Sequence, residues 1–192
     1  MKFTAIILAG GKSSRMGTDK GLVTMKEIPM VRRVIDVVKK TGISDIIIIS
    51  NNPAYIQFGY PVYPDLIQNK GPLGGIYTGL IKSTTVKNLI LSCDIPLISE
   101  AVLRTLIQNG LEKTITIVKY GEQLHHLIGA YDASLIKDLG EHIVNNKLKV
   151  GQFISSNNAD IIDLNKELPH LESYVVANVN TMEELKKLEY AV

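Results

Sequence analysis

Residues 6–20 read Ile-Ile-Leu-Ala-Gly-Gly-Lys-Ser-Ser-Arg-Met-Gly-Thr-Asp-Lys, an apolar strand that runs into a glycine turn and ends among cations. The apolar run over 3–8 lacks period-two alternation, as expected of a strand buried on both faces of a parallel sheet. A turn at the carboxyl end of such a strand lies where open α/β sheets place their ligands. Gly10 and Gly11 let a phosphate approach the backbone and expose its N–H groups. Lys12, Arg15 and Lys20 add positive charge suited to an oligophosphate tail. No Gly-Lys-Ser/Thr closes a Gly-x-x-x-x spacing, so this is not a Walker A loop, and the dinucleotide fingerprint Gly-x-Gly-x-x-Gly is absent.

Working outward, apolar runs of strand length recur at 46–50 and 89–92. Between the first two runs, Val31, Val34, Ile35, Val37 and Val38 form a helical stripe over 30–41, with Lys39 and Lys40 near its end and Gly42 as a C-terminal stop. A second helix is expected over 74–83 after a glycine-rich turn. Ser99 can N-cap a third, with Val102, Leu103, Leu106 and Ile107 on one face and Gly110 ending it. Strand–helix alternation of this kind implies parallel strands joined by right-handed crossovers. The second half is less regular. Strands are expected at 114–120 and 123–131 around a Gly121-Glu122 turn, a helix at 135–145, a short strand at 160–164 and a final helix at 181–188, capped by Thr181 with Glu184 three residues on. No linker, repeat or low-complexity tract divides the chain. The expected fold is α/β: one domain over 1–192, three layers α/β/α around a Rossmann-like, mostly parallel sheet.

The bulk properties narrow the function. The chain has 192 residues, 45% hydrophobic and 21% charged, both ordinary for a globular enzyme. A net charge of +2 is too small for a nucleic-acid footprint, so any attraction to anions comes from local clusters. Cys93 is the only cysteine, which excludes an intramolecular disulfide. The N-terminal apolar run is too short for a signal segment or a membrane span. A cytoplasmic protein is expected, with no membrane partner.

A second motif is Leu91-Ser92-Cys93-Asp94-Ile95-Pro96. A carboxylate just beyond a buried strand is well placed for Mg²⁺, an ion that prefers a few hard oxygens together with substrate phosphates. Alone, Asp94 would read sooner as the cap of the following turn, but beside a triphosphate-binding loop, whose ligand normally arrives with a divalent ion, it is the expected metal ligand. Asp65 follows another extended segment and precedes a glycine turn, Gly71-Pro72-Leu73-Gly74-Gly75. It can accept a hydrogen bond from a sugar hydroxyl or a base amine, or serve only as a surface turn residue.

The pattern Leu-Ala-Gly-Gly-x-x-x-Arg-Met-Gly-x-Asp-Lys over 8–20 resembles the signature of the nucleotidyltransferases, and within them that of the molybdenum cofactor guanylyltransferases. The resemblance covers nearly the whole chain. Gly71 to Ile76 resembles that family's Gly-Pro-Leu-Ala-Gly-Ile, Ser92 to Pro96 its Cys-Asp-x-Pro, and Asn178 to Glu184 its Asn-x-Asn-Thr-Pro-Glu-Glu. Gly74 replaces an alanine, Met182 a proline, and His126 the proline of a His-Pro-Leu segment, which puts the backbone shape there and any role of His125 in question.

The resemblance implies the nucleotide-diphospho-sugar transferase type of fold and GMP transfer from GTP to molybdopterin carrying molybdenum. It places Leu8, Ala9, Gly10, Lys20, Asp65 and Asp94 on GTP, Asp94 also on Mg²⁺, and Asn178 and Asn180 on the pterin side. For Asn180 a plain helix-capping role stays open. Arg15, Lys20 and Asp94 are the expected catalytic residues, the two cations holding the departing pyrophosphate, and a molybdenum-insertion protein is an imaginable partner. The rival readings are a cytidylyltransferase for the same cofactor, another small nucleotidyltransferase, and a non-catalytic nucleotide-binding module.

Overall fold

The computed structural model describes residues 2–10 and 19–191. Strand β1 (Phe3–Leu8) is buried at all six positions. A two-residue hairpin follows, β2 (Thr24–Met25) and β3 (Ile28–Pro29), then helix α1 (Met30–Lys40), strand β4 (Asp45–Ile49), β5 (Val62–Tyr63) and helix α2 (Gly71–Lys82). Next come β6 (Lys87–Ser92), α3 (Glu100–Asn109), β7 (Ile115–Tyr120) and β8 (Gln123–Asp132). The chain ends with α4 (Ile136–Val144), α5 (Val150–Ser156), β9 (Asp160–Asp163), the short α6 (Leu164–Glu167) and α7 (Met182–Ala191).

Seven strands form one sheet in the order β5-β4-β1-β6-β8-β7-β9. β1 pairs in parallel with both β4 and β6, and only β8 runs against its neighbours. Successive residues of a strand point to opposite faces, and the packing follows that rule. Ala5 and Ile7 of β1, Ile46 and Ile48 of β4, and Leu89 and Leu91 of β6 meet Val34, Ile35 and Leu103 of α1 and α3. Ile6, Leu8, Ile47, Ile49 and Ile90 point the other way, against Leu73 and Ile76 of α2, Leu139 of α4 and Phe153 of α5. The result is the three-layer α/β/α arrangement expected from the strand–helix alternation. Gly79 lets α2 lie against the sheet, since a Cβ there would run into Ile6. Among the described residues no helix is long and apolar enough to cross a membrane.

Boundaries differ in instructive places. α2 begins at Gly71, three residues before the expected start, with Pro72 in its first turn, where an N–H has no intrahelical partner in any case. The helix expected from 135 starts instead as a 3-10 turn, Ala133–Leu135, that runs into α4.

Candidate functional site

The strand order reverses at β1, and the carboxyl ends of β1, β4 and β6 open into a cleft of about 680 Å³. Open α/β sheets bind ligands at such a switch point. The backbone of β1 is held on both sides beyond its last residue. The Ala9 N–H donates to Ile49 at 2.9 Å, and the Leu8 carbonyl accepts from the Cys93 N–H at 3.1 Å. Leu8, Ala9 and Gly10 line the cleft as the sequence predicts. Among the described residues nothing lies within 4 Å of where a Gly10 Cβ would sit, so the backbone there is open to a ligand. Gly11, Lys12 and Arg15 lie outside the described residues.

One wall of the cleft is an amide–carboxylate cluster. The Asp65 N–H donates to Asn51 Oδ1 at 3.1 Å, Asn51 Nδ2 donates to Asp65 Oδ2 at 3.3 Å, and Gln68 Nε2 donates to Asn51 Oδ1 at 3.2 Å. Gly75 of α2 faces this cluster, 3.8 Å from Asp65 Oδ1 when a Cβ is placed on it, and such a Cβ would press on Leu8 at 3.2 Å. Burial raises the Asp65 pKa above its ordinary 3.8, against the opposing hydrogen bond from Asn51. Asp65 is therefore a half-buried cleft carboxylate, more than a surface turn. Asn51, Asn52 and Gln68 were not among the residues expected from sequence. The available signal was their position, just past the end of β4 or in the loop that leads into α2.

The opposite end of the site is built around Asp94, two residues past β6. Its Oδ1 accepts from the Ser92 hydroxyl at 2.5 Å and from Asn178 Nδ2 at 2.7 Å. Lys20 Nζ lies 3.5 Å from Asp94 Oδ2 and donates to Asn180 Oδ1 at 2.6 Å. The Val179 N–H donates to the Asp94 carbonyl at 2.8 Å, which fixes the Asn178–Asn180 segment against the strand end. Lys20, Asp94, Asn178 and Asn180, expected from three distant stretches of sequence, thus form one junction. Asn180 takes part in the start of a helix and in the junction at once. Its backbone N–H joins the start of α7, donating to Glu184 Oε2 at 2.6 Å, while its side chain receives Lys20. Thr181 and Glu184 form the reciprocal cap: the Thr181 N–H donates to Glu184 Oε2 and the Glu184 N–H to Thr181 Oγ1, both at 3.1 Å.

A second recess of about 200 Å³ adjoins this junction and shares Ser92 and Leu127 with the main cleft. Asn178, His125 and His126 line it. It owes its shape to a bulge in β8. Ile117 of β7 faces Gly129, yet the next residue, Val118, faces His125. Bulges of this kind re-aim side chains beside active sites. The Tyr131 hydroxyl pins the bulge by donating to the His126 carbonyl at 2.6 Å. Burial holds the pKa of both histidines below the ordinary 6.5, with His126 adding to the effect at His125. Both imidazoles are neutral at pH 7 and can donate and accept.

A sheet of this order, with lysine, carboxylate and amide side chains gathered at its switch point, defines a nucleotide-binding α/β domain. The comparisons with known proteins narrow that class. The chain belongs to the family of MobA-like NTP transferase domains, whose model matches residues 5–159, and is a nucleotidyltransferase. A relative in Flavobacterium johnsoniae, named "probable molybdenum cofactor guanylyltransferase", is 37% identical over 96% of this chain and 95% of its own length. One of the same name in Carboxydothermus hydrogenoformans is 31% identical over 96% and 94%. Among solved structures, the molybdopterin-guanine dinucleotide biosynthesis protein A of Archaeoglobus fulgidus shares the fold with a TM-score of 0.80, at 19% identity over 98% of this chain and 97% of that one.

Proposed function

We propose that the chain transfers GMP from GTP to molybdopterin carrying molybdenum, releasing pyrophosphate. The observation that carries this reading is the Lys20–Asp94–Asn178–Asn180 junction, which reaches the second recess through Asn178 and is bonded through Asp94 to Ser92, a residue that lines both that recess and the nucleotide-sized cleft. A transferase with two substrates needs such a meeting point. The names of the curated relatives supply the identity of donor and acceptor.

In this reading an oxygen of the acceptor's terminal phosphate attacks the α-phosphorus of GTP. The bond from that phosphorus to the bridging oxygen breaks, and pyrophosphate leaves with the electron pair. The attacking oxygen is already anionic near neutral pH, so no side chain has to remove a proton. The protein's work is positioning and charge neutralisation. The Leu8–Ala9–Gly10 backbone and Asp65 bind the nucleoside and its first phosphate, while Lys20 and Arg15 hold the departing pyrophosphate. Asn178 and Asn180 present donors and acceptors to the pterin.

The donor set at Asp94 fits Mg²⁺ held mainly through the nucleotide. Among the described residues no three His, Cys, Asp or Glu side chains gather into a cage. Mg²⁺ commonly takes only one or two protein carboxylates and completes its shell with phosphate oxygens and water. Asp94 Oδ2 is the oxygen available for it, its contact with Lys20 being a loose 3.5 Å. The chemistry Mg²⁺ supplies when bound is neutralisation of the charge on the reacting phosphates. A cytoplasmic setting is part of this proposal.

The test is thermal stabilisation by GTP, CTP and ATP with Mg²⁺, followed by pyrophosphate release on addition of the acceptor. GTP is expected to stabilise the protein selectively. Equal or greater stabilisation by CTP would overturn the guanylyl assignment. In the same assay Asp65→Asn is expected to weaken GTP binding about 10–100-fold, since hydrogen bonds to charged groups are worth about 1.5–3 kcal/mol. Only the ionised carboxylate accepts without donating. Wild-type affinity should therefore fall as the pH drops through the Asp65 pKa, which lies above 3.8, and Asp65→Asn should abolish that acid limb. An unchanged acid limb in the variant would remove Asp65 from the nucleoside.

A further inference from the structure

The lysine at the centre of the proposed reaction follows a carboxylate at the rim of the nucleotide cleft whose two oxygens are both taken up by the protein itself. Asp19 precedes Lys20, and both of its carboxylate oxygens are occupied by groups from the connection between β4 and β5. The Tyr55 hydroxyl donates to Oδ1, and Asn52 Nδ2 donates to Oδ2 at 3.1 Å. The Asp19 carbonyl accepts from the Leu22 N–H at 3.0 Å and so starts the 3-10 turn Lys20–Leu22 that presents the lysine. On the far side of Lys20 the chain is fixed by close packing. Gly21 is buried, and a Cβ on it would collide with the Tyr55 hydroxyl and lie 3.1 Å from Cys93 Sγ. Tyr55 itself is fully buried at the centre of the 3-10 helix Pro53–Phe58. Burial pushes its pKa far above the working range, so its hydroxyl stays a donor.

We propose that Asp19 and Tyr55 are positioning residues for the reaction: the Tyr55–Asp19–Asn52 clasp sets the height of the Lys20 ammonium over the nucleotide phosphates. This rests on the proposed role of Lys20. The clasp has a second consequence. Asn52 adjoins Asn51, the partner of Asp65, so the nucleoside wall and the phosphate lysine share one short rigid segment. A lysine is a flexible point charge on four methylenes. Holding the backbone at residues 19 and 21 fixes the root of that stem, while Asn180 holds its ammonium at 2.6 Å, and displacements near 1 Å in such a site cost about 10²-fold in rate.

A double-mutant cycle on the full chain tests this, with folding checked by the unfolding midpoint. Tyr55→Phe, which removes only the hydroxyl, is expected to lower kcat about tenfold with KM for GTP within about threefold. In a Lys20→Ala background the same change is expected to lower kcat less than about twofold, because residues that act through one another are not additive. An equal loss in both backgrounds would show a general structural effect and overturn the proposal, as would full activity in Tyr55→Phe. If Tyr55→Phe is too unstable, Asp19→Asn takes its place. That variant keeps the backbone turn and the side-chain shape but turns one oxygen into a donor facing a donor, and the same pattern of losses is expected. A wild-type chain that transfers no GMP counts against the proposed function alone. The clasp is then read in the affinity ratio of triphosphate over monophosphate for whichever of GTP, CTP or ATP binds best, with the same non-additivity expected and additivity counting against it.

Discussion

Lys20→Ala is expected to lower turnover on saturating GTP about 10²–10³-fold, the usual loss when one fixed donor to a developing oxyanion is removed. The fold should scarcely notice. The Lys20–Asp94 contact spans 3.5 Å and the lysine side chain is 25% exposed. Ion pairs of that openness contribute about 0–1 kcal/mol. Asp94 also keeps its hydrogen bonds from Ser92 and Asn178 after the lysine is gone. Lys20→Arg should restore only part of the rate, because a planar fork cannot occupy the place of a compact ammonium between Asn180 and Asp94. Pyrophosphate release measured beside the unfolding midpoint separates the two effects. Near-normal turnover in the folded alanine variant would take Lys20 out of the mechanism.

Asp94→Asn is expected to cost on the order of 10³-fold in turnover, since neutralising phosphate charge with a metal is worth several kcal/mol and each ~1.36 kcal/mol is a factor of ten. The substitution keeps the shape of the side chain. Its carbonyl oxygen can still accept from the Ser92 hydroxyl and Asn178, now at 2.5 and 2.7 Å from Asp94 Oδ1, so the junction should stay assembled. What is lost is the anionic oxygen at Oδ2. The half-saturating Mg²⁺ concentration should therefore rise sharply in the variant. A variant that turns over slowly at an unchanged Mg²⁺ requirement would give Asp94 a purely positioning role.

The sequence was most legible where burial is two-sided and local signals agree. β1, β4 and β6 were visible as short apolar runs because parallel strands bury both faces. α1 was visible as a stripe that ends at Gly42, whose φ of +89° is the left-handed stop expected there. Other elements have no local signature. The β2–β3 hairpin turns through Lys26 and Glu27, with φ of 48° and 65°, without the Asn-Gly or Asp-Gly pair that normally marks such a turn. α5 has no side-chain cap and includes Gly151, and Phe153 and Ile154 hold it by packing on the sheet. The site divides in the same way. Lys20, Asp94 and the asparagine pair stood out by charge, strand-end position and resemblance. Asn51, Asn52, Gln68 and the role of Asp19 depend on contacts that only the folded chain creates.

The Lys20–Asn180 bond joins residues 160 apart in the chain, and Asn178 reaches Asp94 across 84. Chains emerge from the ribosome N-terminus first. The residues that line the nucleotide cleft, none beyond Leu127, are therefore all synthesised before the two asparagines. The family match itself stops at residue 159, short of both. The junction is the last part of the candidate site to be made, and in the proposed reaction its arrival is what joins the nucleotide cleft to the acceptor recess. After that, packing and a backbone hydrogen bond hold the late segment in place: Val175 and Val176 enter the core under the sheet, and Val179 is tied by its N–H to the Asp94 carbonyl.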